Sequence, residues 1–167
     1  MNIQTLQSNN ELYRQLHQNP NMFLGMSLKT YIPEIGTLIK NSNIESVNDY
    51  GCGKARAWKE YGLKKLWNLT DVGLYDPGVE EYSIPLTTPR DLVICIDVLE
   101  HIEPDCIDSV LDEINKLSTK AIFLNICTRP ASKILPDGRN AHLIVQPREW
   151  WKQKLKRINK LVITHYT

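Results

Sequence analysis

The chain has 167 residues, 42% hydrophobic and 23% charged, with a net charge of +1, and these proportions describe one ordinary globular domain with a sizeable core. Near-neutral charge gives no global argument for a polyanionic partner or an anionic membrane. No stretch is both long and apolar enough to span a bilayer, and residues 1–15 lack a hydrophobic signal core, so a cytoplasmic protein is expected. The four cysteines, Cys52, Cys95, Cys106 and Cys127, form no C-x-x-C pair and no zinc-ligand spacing, so reduced thiols and no metal are expected.

In chain order, residues 11–18 predict a short helix, followed by an Asn/Pro-rich turn. Residues 27–40 predict a second helix despite Pro33, with Leu28, Ile32, Ile35, Leu38 and Ile39 on one face. Residues 44–47 read as a strand, residues 54–61 as a helix and residues 71–75 as a strand that ends in the turn Asp76-Pro77-Gly78. Residues 81–84 suggest a short third strand. The apolar run 91–96 predicts a strand covered on both faces, and 105–117 an amphipathic helix. Residues 121–127 form another buried strand pattern. A polar loop over 128–140 leads to residues 142–145, then a helix from Pro147 to about 157 and a last strand over 161–165. About six strands alternating with helices give an α/β fold, a mostly parallel Rossmann-like sheet in a three-layer sandwich, with 1–41 as a helical N-terminal lid and 42–167 as the core. Ligands of such sheets bind beyond the carboxyl ends of the strands.

Asp49-Tyr50-Gly51-Cys52-Gly53-Lys54-Ala55 follows the first strand and describes a tight strand-to-helix turn, since glycines permit positive φ and close approach. The third glycine of the dinucleotide fingerprint is Arg56 here. The phosphate-loop spacing is also absent, because Lys54 is not followed by Ser or Thr. Asp76 lies 23 residues beyond Gly53, where an acid can accept hydrogen bonds from both hydroxyls of a ribose. Its plainer role is the turn before Pro-Gly. The fourth predicted strand runs into Asp97-Val98-Leu99-Glu100-His101-Ile102-Glu103-Pro104.

Together, the acid-Gly-x-Gly turn, Asp76 and the 91–104 segment resemble class I S-adenosylmethionine-dependent methyltransferases, over about residues 44–127. The patterns around Tyr13–His17 and 137–151 resemble a small bacterial or phage subgroup. The resemblance implies S-adenosylmethionine as cofactor, with contacts from Asp49, Gly51, Gly53, Asp76 and Asp97. It also implies a lid helix, in which Tyr13 or Phe23 covers the cofactor. Ala55 stands where many relatives carry glycine, and the family's seventh, antiparallel strand has no counterpart here.

The 128–142 loop is long for an α/β connection, and such loops are usually functional. It offers His142 as a general base, with Arg139 and Asn140 to hold an acceptor. The plainer reading is a turn at Asp137-Gly138 with a local Asp137–Arg139 ion pair. Trp150 and Trp151 wall a pocket or fill the core. The expected reaction is methyl transfer to an O or N atom of a small polar acceptor. Alternatives are an enzyme that degrades the same cofactor, a non-catalytic binding module, and NAD or nucleotide binding. The basic run 152–160 reads as a solvated helix face, though it keeps a nucleic-acid acceptor open, and a homodimer is compatible with the sequence.

Overall fold

A computed structural model describes residues 3–167, with side chains described from Asn9 onward. The helices are α1 (Ile3–His17), α2 (Ile32–Asn41), α3 (Arg56–Tyr61), α4 (Leu63–Leu66), α5 (Ile107–Leu117) and α6 (Arg148–Leu155). The strands are β1 (Ser46–Tyr50), β2 (Asp71–Tyr75), β3 (Arg90–Ile96), β4 (Ser118–Ile126) and β5 (Leu161–Tyr166). They form one all-parallel sheet in the order β2-β1-β3-β4-β5. The architecture is a Rossmann-like α/β fold.

Strand alternation explains the core. Leu92, Ile94, Ala121 and Phe123 pack with Ile35, Leu38 and Trp58 of α2 and α3. Val93, Cys95, Ile122, Leu124 and Ile126 instead pack with Val110, Leu111 and Ile114 of α5 and Trp151 of α6. Successive side chains of a strand point to opposite faces, so β3 and β4 need apolar residues at nearly every position.

Three expectations change. Residues 81–84 are not a strand, because Tyr82 N–H donates to the Val79 carbonyl and Ser83 N–H to the Glu80 carbonyl, curling Glu80–Tyr82 into a 3-10 turn. The sheet therefore has five strands rather than six, and the predicted fourth strand is β3. The helix over 27–40 is divided into a 3-10 turn, Ser27–Tyr31, and α2. Pro33 explains the break: it lacks an N–H and is accommodated in the first turn of a helix, not in its interior. At the carboxyl-terminal edge, β5 pairs parallel and directly with β4. The single antiparallel pairing among the described residues is the isolated bridge Ile134–Asn140.

The order of strands positions the site. The chain leaves β1 for β2 on one side, then returns past β1 to lay β3 on the other. That reversal opens a crevice at the carboxyl ends of β1 and β3.

Candidate functional site

A cavity of about 610 Å³ occupies this crevice. Its floor comes from the segments that follow the strands: Gly51, Cys52 and Gly53 after β1, Asp76 after β2, Asp97, Val98, Glu100, His101 and Ile102 after β3, Cys127 after β4, and Thr167 after β5. Asn9, Asn10, Tyr13 and His17 of α1 and the segment Phe23–Leu28 form one wall, while Pro130–Lys133 and His142 form another. The N-terminal segment thus lies along the carboxyl rim of the sheet. His17 stacks on Phe23 with ring centroids 4.6 Å apart, and Tyr13 meets His101 edge-on at 5.3 Å.

The glycine turn is built against this same wall. Gly53 (φ 56) lies so close to Phe23 that an added Cβ would press into the Phe23 carbonyl oxygen, and one on Gly51 (φ 87) would meet the Val98 side chain. The close approach expected of a ligand is therefore made first by the chain itself. Lys54, Arg56 and Ala57 donate their amides to the carbonyls of Phe23, Leu24 and Gly25 at 2.9, 3.0 and 3.4 Å. Those amides begin α3, the place where a phosphate would otherwise be received.

Gly53 and Gly62 share nearly the same backbone (φ 56 and 55), yet a Cβ on Gly62 meets nothing within 4 Å. Both Ala substitutions incur about 1–2 kcal/mol of left-handed strain. Gly53→Ala must in addition displace backbone, so urea unfolding is expected to find it clearly the less stable variant. Equal losses would show that residues 23–25 yield freely.

The carboxylates of the cavity differ in their surroundings. Asp49 is 5% exposed; its Oδ2 accepts the Trp58 indole N–H at 2.6 Å. Burial, reinforced by the neighbouring Asp76 charge and opposed by the indole bond, pushes its carboxyl up to about 7. Asp76 is 8% exposed and its two oxygens accept the amides of Gly53 and Gly78, each at 2.9 Å. His17 Nε2 approaches Asp76 Oδ1 at 3.5 Å, although burial holds this imidazole below its ordinary value. Asp97 has left-handed backbone (φ 55) and its Oδ1 accepts from Asn125 Nδ2. Phe23 (φ 48) is strained in the same way, so two cavity residues carry a conformation that non-glycine residues seldom adopt.

The far corner holds Glu100, His101, Cys127 and His142. Glu100 is fully buried; its Oε1 accepts the Cys127 amide at 3.1 Å, while Oε2 has no partner. Burial and the Asp97 charge raise its carboxyl to about 8. His101 Nδ1–H donates to the Ala141 carbonyl at 2.8 Å, and burial lowers this imidazole to about 4. His142 Nδ1–H donates to the Arg129 carbonyl at 2.5 Å, and the two rings meet edge-on at 4.8 Å. Each imidazole is thereby left with Nε2 as its open nitrogen. Buried polar atoms without a partner also occur at Asn9 Oδ1 and His17 Nδ1 on the lid wall. Glu100, Asn9 and His17, which carry these atoms, all line the cavity.

Of the residues expected from sequence, Asp49, Gly51, Gly53, Asp76, Asp97 and His142 converge on the cavity. Arg139 and Asn140 do not line it. Arg139 pairs with Asp137 and with Glu103 at 2.8 Å, which ties the loop to the segment after β3. Asn140 accepts the Ala131 and His142 amides and donates to the Ala131 carbonyl, spending its amide on the loop itself. Trp151 is a core residue, with no exposed surface. In the basic run, Lys154 and Arg157 pair with Asp108, and Arg157 also with Asp112, all at 2.8 Å. Glu100 lies in the 97–104 segment but was given no role there, and Cys127 was marked by no spacing. No helix among the described residues is long and apolar enough to cross a membrane. Comparison with protein-family models, with curated proteins and with solved structures gives no match.

Proposed function

We propose that the cavity binds S-adenosylmethionine and that the chain transfers its methyl group to an O or N atom of a small polar acceptor, in a domain layered with helices on both faces of the sheet. The observation that carries this reading is the charge of the cavity. Asp49, Asp76, Asp97 and Glu100 line it, against Lys133 as the one Lys or Arg lining residue among those described; burial holds Asp49 and Glu100 largely protonated until a cation favours their charged forms. A ligand with an ammonium and a sulfonium suits that field, and a pyrophosphate does not. The amides of Lys54, Arg56 and Ala57 are already spent on residues 23–25, which weighs further against NAD and ATP.

In this reading Asp49 holds the methionine ammonium, and the lone pairs of Asp76 not used by Gly53 and Gly78 accept from the ribose hydroxyls. Gly51 and Gly53 keep the turn beside the cofactor free of side chains, and Asp97 borders it at the end of β3. When bound, the cofactor would supply an electrophilic methyl group to the acceptor's lone pair and keep the sulfur as a thioether. The protein contributes orientation and exclusion of water, with Tyr13, His17 and Phe23 as the cover. His142, whose Nε2 is its open nitrogen, is the candidate to receive the acceptor's proton; His101, held near 4 by burial, is the weaker base.

Thermal unfolding in the presence of S-adenosylmethionine, its demethylated product, NAD or ATP tests the cofactor. At about a hundred times its Kd the right ligand is expected to stabilise the fold by roughly 2.7 kcal/mol. Stabilisation by NAD or ATP, without an effect of S-adenosylmethionine, would overturn the proposal.

A further inference from the structure

We infer that Glu100, Cys127 and His142 form a binding site for a zinc-class divalent cation at the acceptor end of the cavity. One ligand atom from each lies within 4.8 Å of the others, although the residues are 27 and 15 positions apart in sequence. The topology produces the meeting. Glu100 follows β3, Cys127 follows β4, and β3 and β4 are hydrogen-bonded neighbours. His142 is brought back over them by the loop, which is fastened through the Ile144 amide to the Glu100 carbonyl and through Arg139 to Glu103.

The donor set has the chemistry of such a site. A carboxylate, a thiolate and an imidazole are the ordinary ligands of zinc, and three protein ligands with one open position define its reactive sites. All three residues line the cavity, so an ion held between them would be reachable from it. The second observation is Glu100 Oε2, an oxygen with no partner on a residue with no exposed surface. An orphaned, buried carboxylate oxygen is costly, and a cation beside it removes that cost. The outer contacts also fit. Metal-bound imidazoles usually donate their other N–H to a carbonyl, as His142 Nδ1–H does to Arg129, and bound carboxylates are themselves hydrogen-bonded, as Glu100 Oε1 is by the Cys127 amide.

Zinc bonds of about 2.0–2.3 Å place tetrahedral ligand atoms roughly 3.3–3.8 Å apart, so binding draws the three together by about 1 Å. Cys127 and His142 are half-buried, and this movement falls to them rather than to the enclosed Glu100. Within the proposed methyl transfer, the ion would bind the acceptor's heteroatom in its open position and lower the pKa of that group. His142 is then a ligand rather than the base, and the acidified acceptor would release its proton to water. Binding of the ion does not itself depend on the cofactor reading.

Titration of the tag-free protein with Co²⁺ and then Zn²⁺, without S-adenosylmethionine, tests the site and leaves the cofactor question untouched. One Co²⁺ per chain is expected, with a thiolate-to-cobalt charge-transfer band in the near ultraviolet. Cys95 and Cys106 are buried away from the cavity, while Cys52 lines it at the glycine turn, so the Cys127 variant is what assigns the band. Cys127→Ser should remove the band, and Cys127→Ser and His142→Ala should each weaken Zn²⁺ binding by more than about 100-fold, beyond the usual effect of a supporting residue. Glu100→Gln, which keeps the side chain's volume, should weaken it at least about tenfold. Circular dichroism confirms that each variant is folded. Wild-type protein without the thiolate band, or a folded Cys127→Ser variant that binds Zn²⁺ as tightly as wild type, overturns the inference.

Discussion

Asp49→Asn is expected to make the free protein more stable at pH 8 while removing most of its affinity for S-adenosylmethionine. The two effects have one cause. Burial lifts the Asp49 carboxyl from its ordinary 3.8 to about 7, so at pH 8 the fold holds a charge in a place that resists it. At 1.36 kcal/mol per unit, the neutral Asn relieves up to about 4 kcal/mol, and its side-chain oxygen still accepts the Trp58 indole. The sign follows from proton counting. Below the unfolded value both states are protonated and the contribution to stability is fully present. Between about 4 and 7 the unfolded chain has lost its proton and the folded one has not, so wild-type stability falls as pH rises, and above 7 the loss is complete. The gap between variant and wild type should open across that window and then stay constant.

A bound ammonium reverses the preference, because it favours the carboxylate. Affinity for S-adenosylmethionine in wild type should therefore rise with pH up to about 7, and in Asp49→Asn should be low and insensitive to pH over the same range. Urea denaturation and isothermal titration calorimetry at pH 5, 6, 7 and 8 measure both halves. A variant that is destabilised at pH 8, or that binds the cofactor as wild type does, sinks this assignment of Asp49.

Much of the fold follows from local pattern because hydrophobic periodicity and turn residues agree. The strand expected over 71–75 is β2 to the residue, since Asp76-Pro77-Gly78 stops it sharply. β1 starts two residues and ends three residues later than the expected 44–47, because Asn48 and Asp49 look like the start of a loop. They remain in the strand because partners from distant sequence satisfy them: Asn48 donates to the Thr88 and Leu117 carbonyls, and Trp58 donates to Asp49. No window of sequence displays those partners.

The candidate site divides in the same way. Residues that follow strands were placed by a rule of the fold, and Asp49, Gly51, Gly53, Asp76 and Asp97 duly gather at one rim. In the 128–142 loop the sequence offers polar residues without distinguishing those that hold the loop from those that face a ligand. Asn140 and Arg139 hold it, and His142 faces the cavity. Glu100 and Cys127 meet because β3 and β4 are neighbours, which is a property of topology that spacing does not encode.

Asp76→Asn is expected to behave in the opposite way to Asp49→Asn, although both remove one negative charge from the same cavity. Asp76 already has structural partners in the free protein. Its Oδ1 and Oδ2 close the turn before Gly78 and fasten the glycine loop at Gly53, through charge-assisted bonds to two amides. Asparagine has one acceptor oxygen and one donor nitrogen, so one of those amides is left facing a donor. An orphaned buried amide costs about 1–3 kcal/mol, and the weakened remaining bond adds to this. Loss of about 2–4 kcal/mol is therefore expected in urea unfolding of the free protein, with Asp76→Ala worse because both amides lose their acceptor. Cofactor affinity should fall as well, since the ribose acceptor and the glycine loop are disturbed together. The free-protein measurement isolates the structural share. If Asp76→Asn unfolds at the same urea concentration as wild type, the turn does not depend on the carboxylate and its two amides have other acceptors. If instead the fold weakens while Asp49→Asn strengthens it, then one acid of this cavity builds the site and the other waits for its ligand.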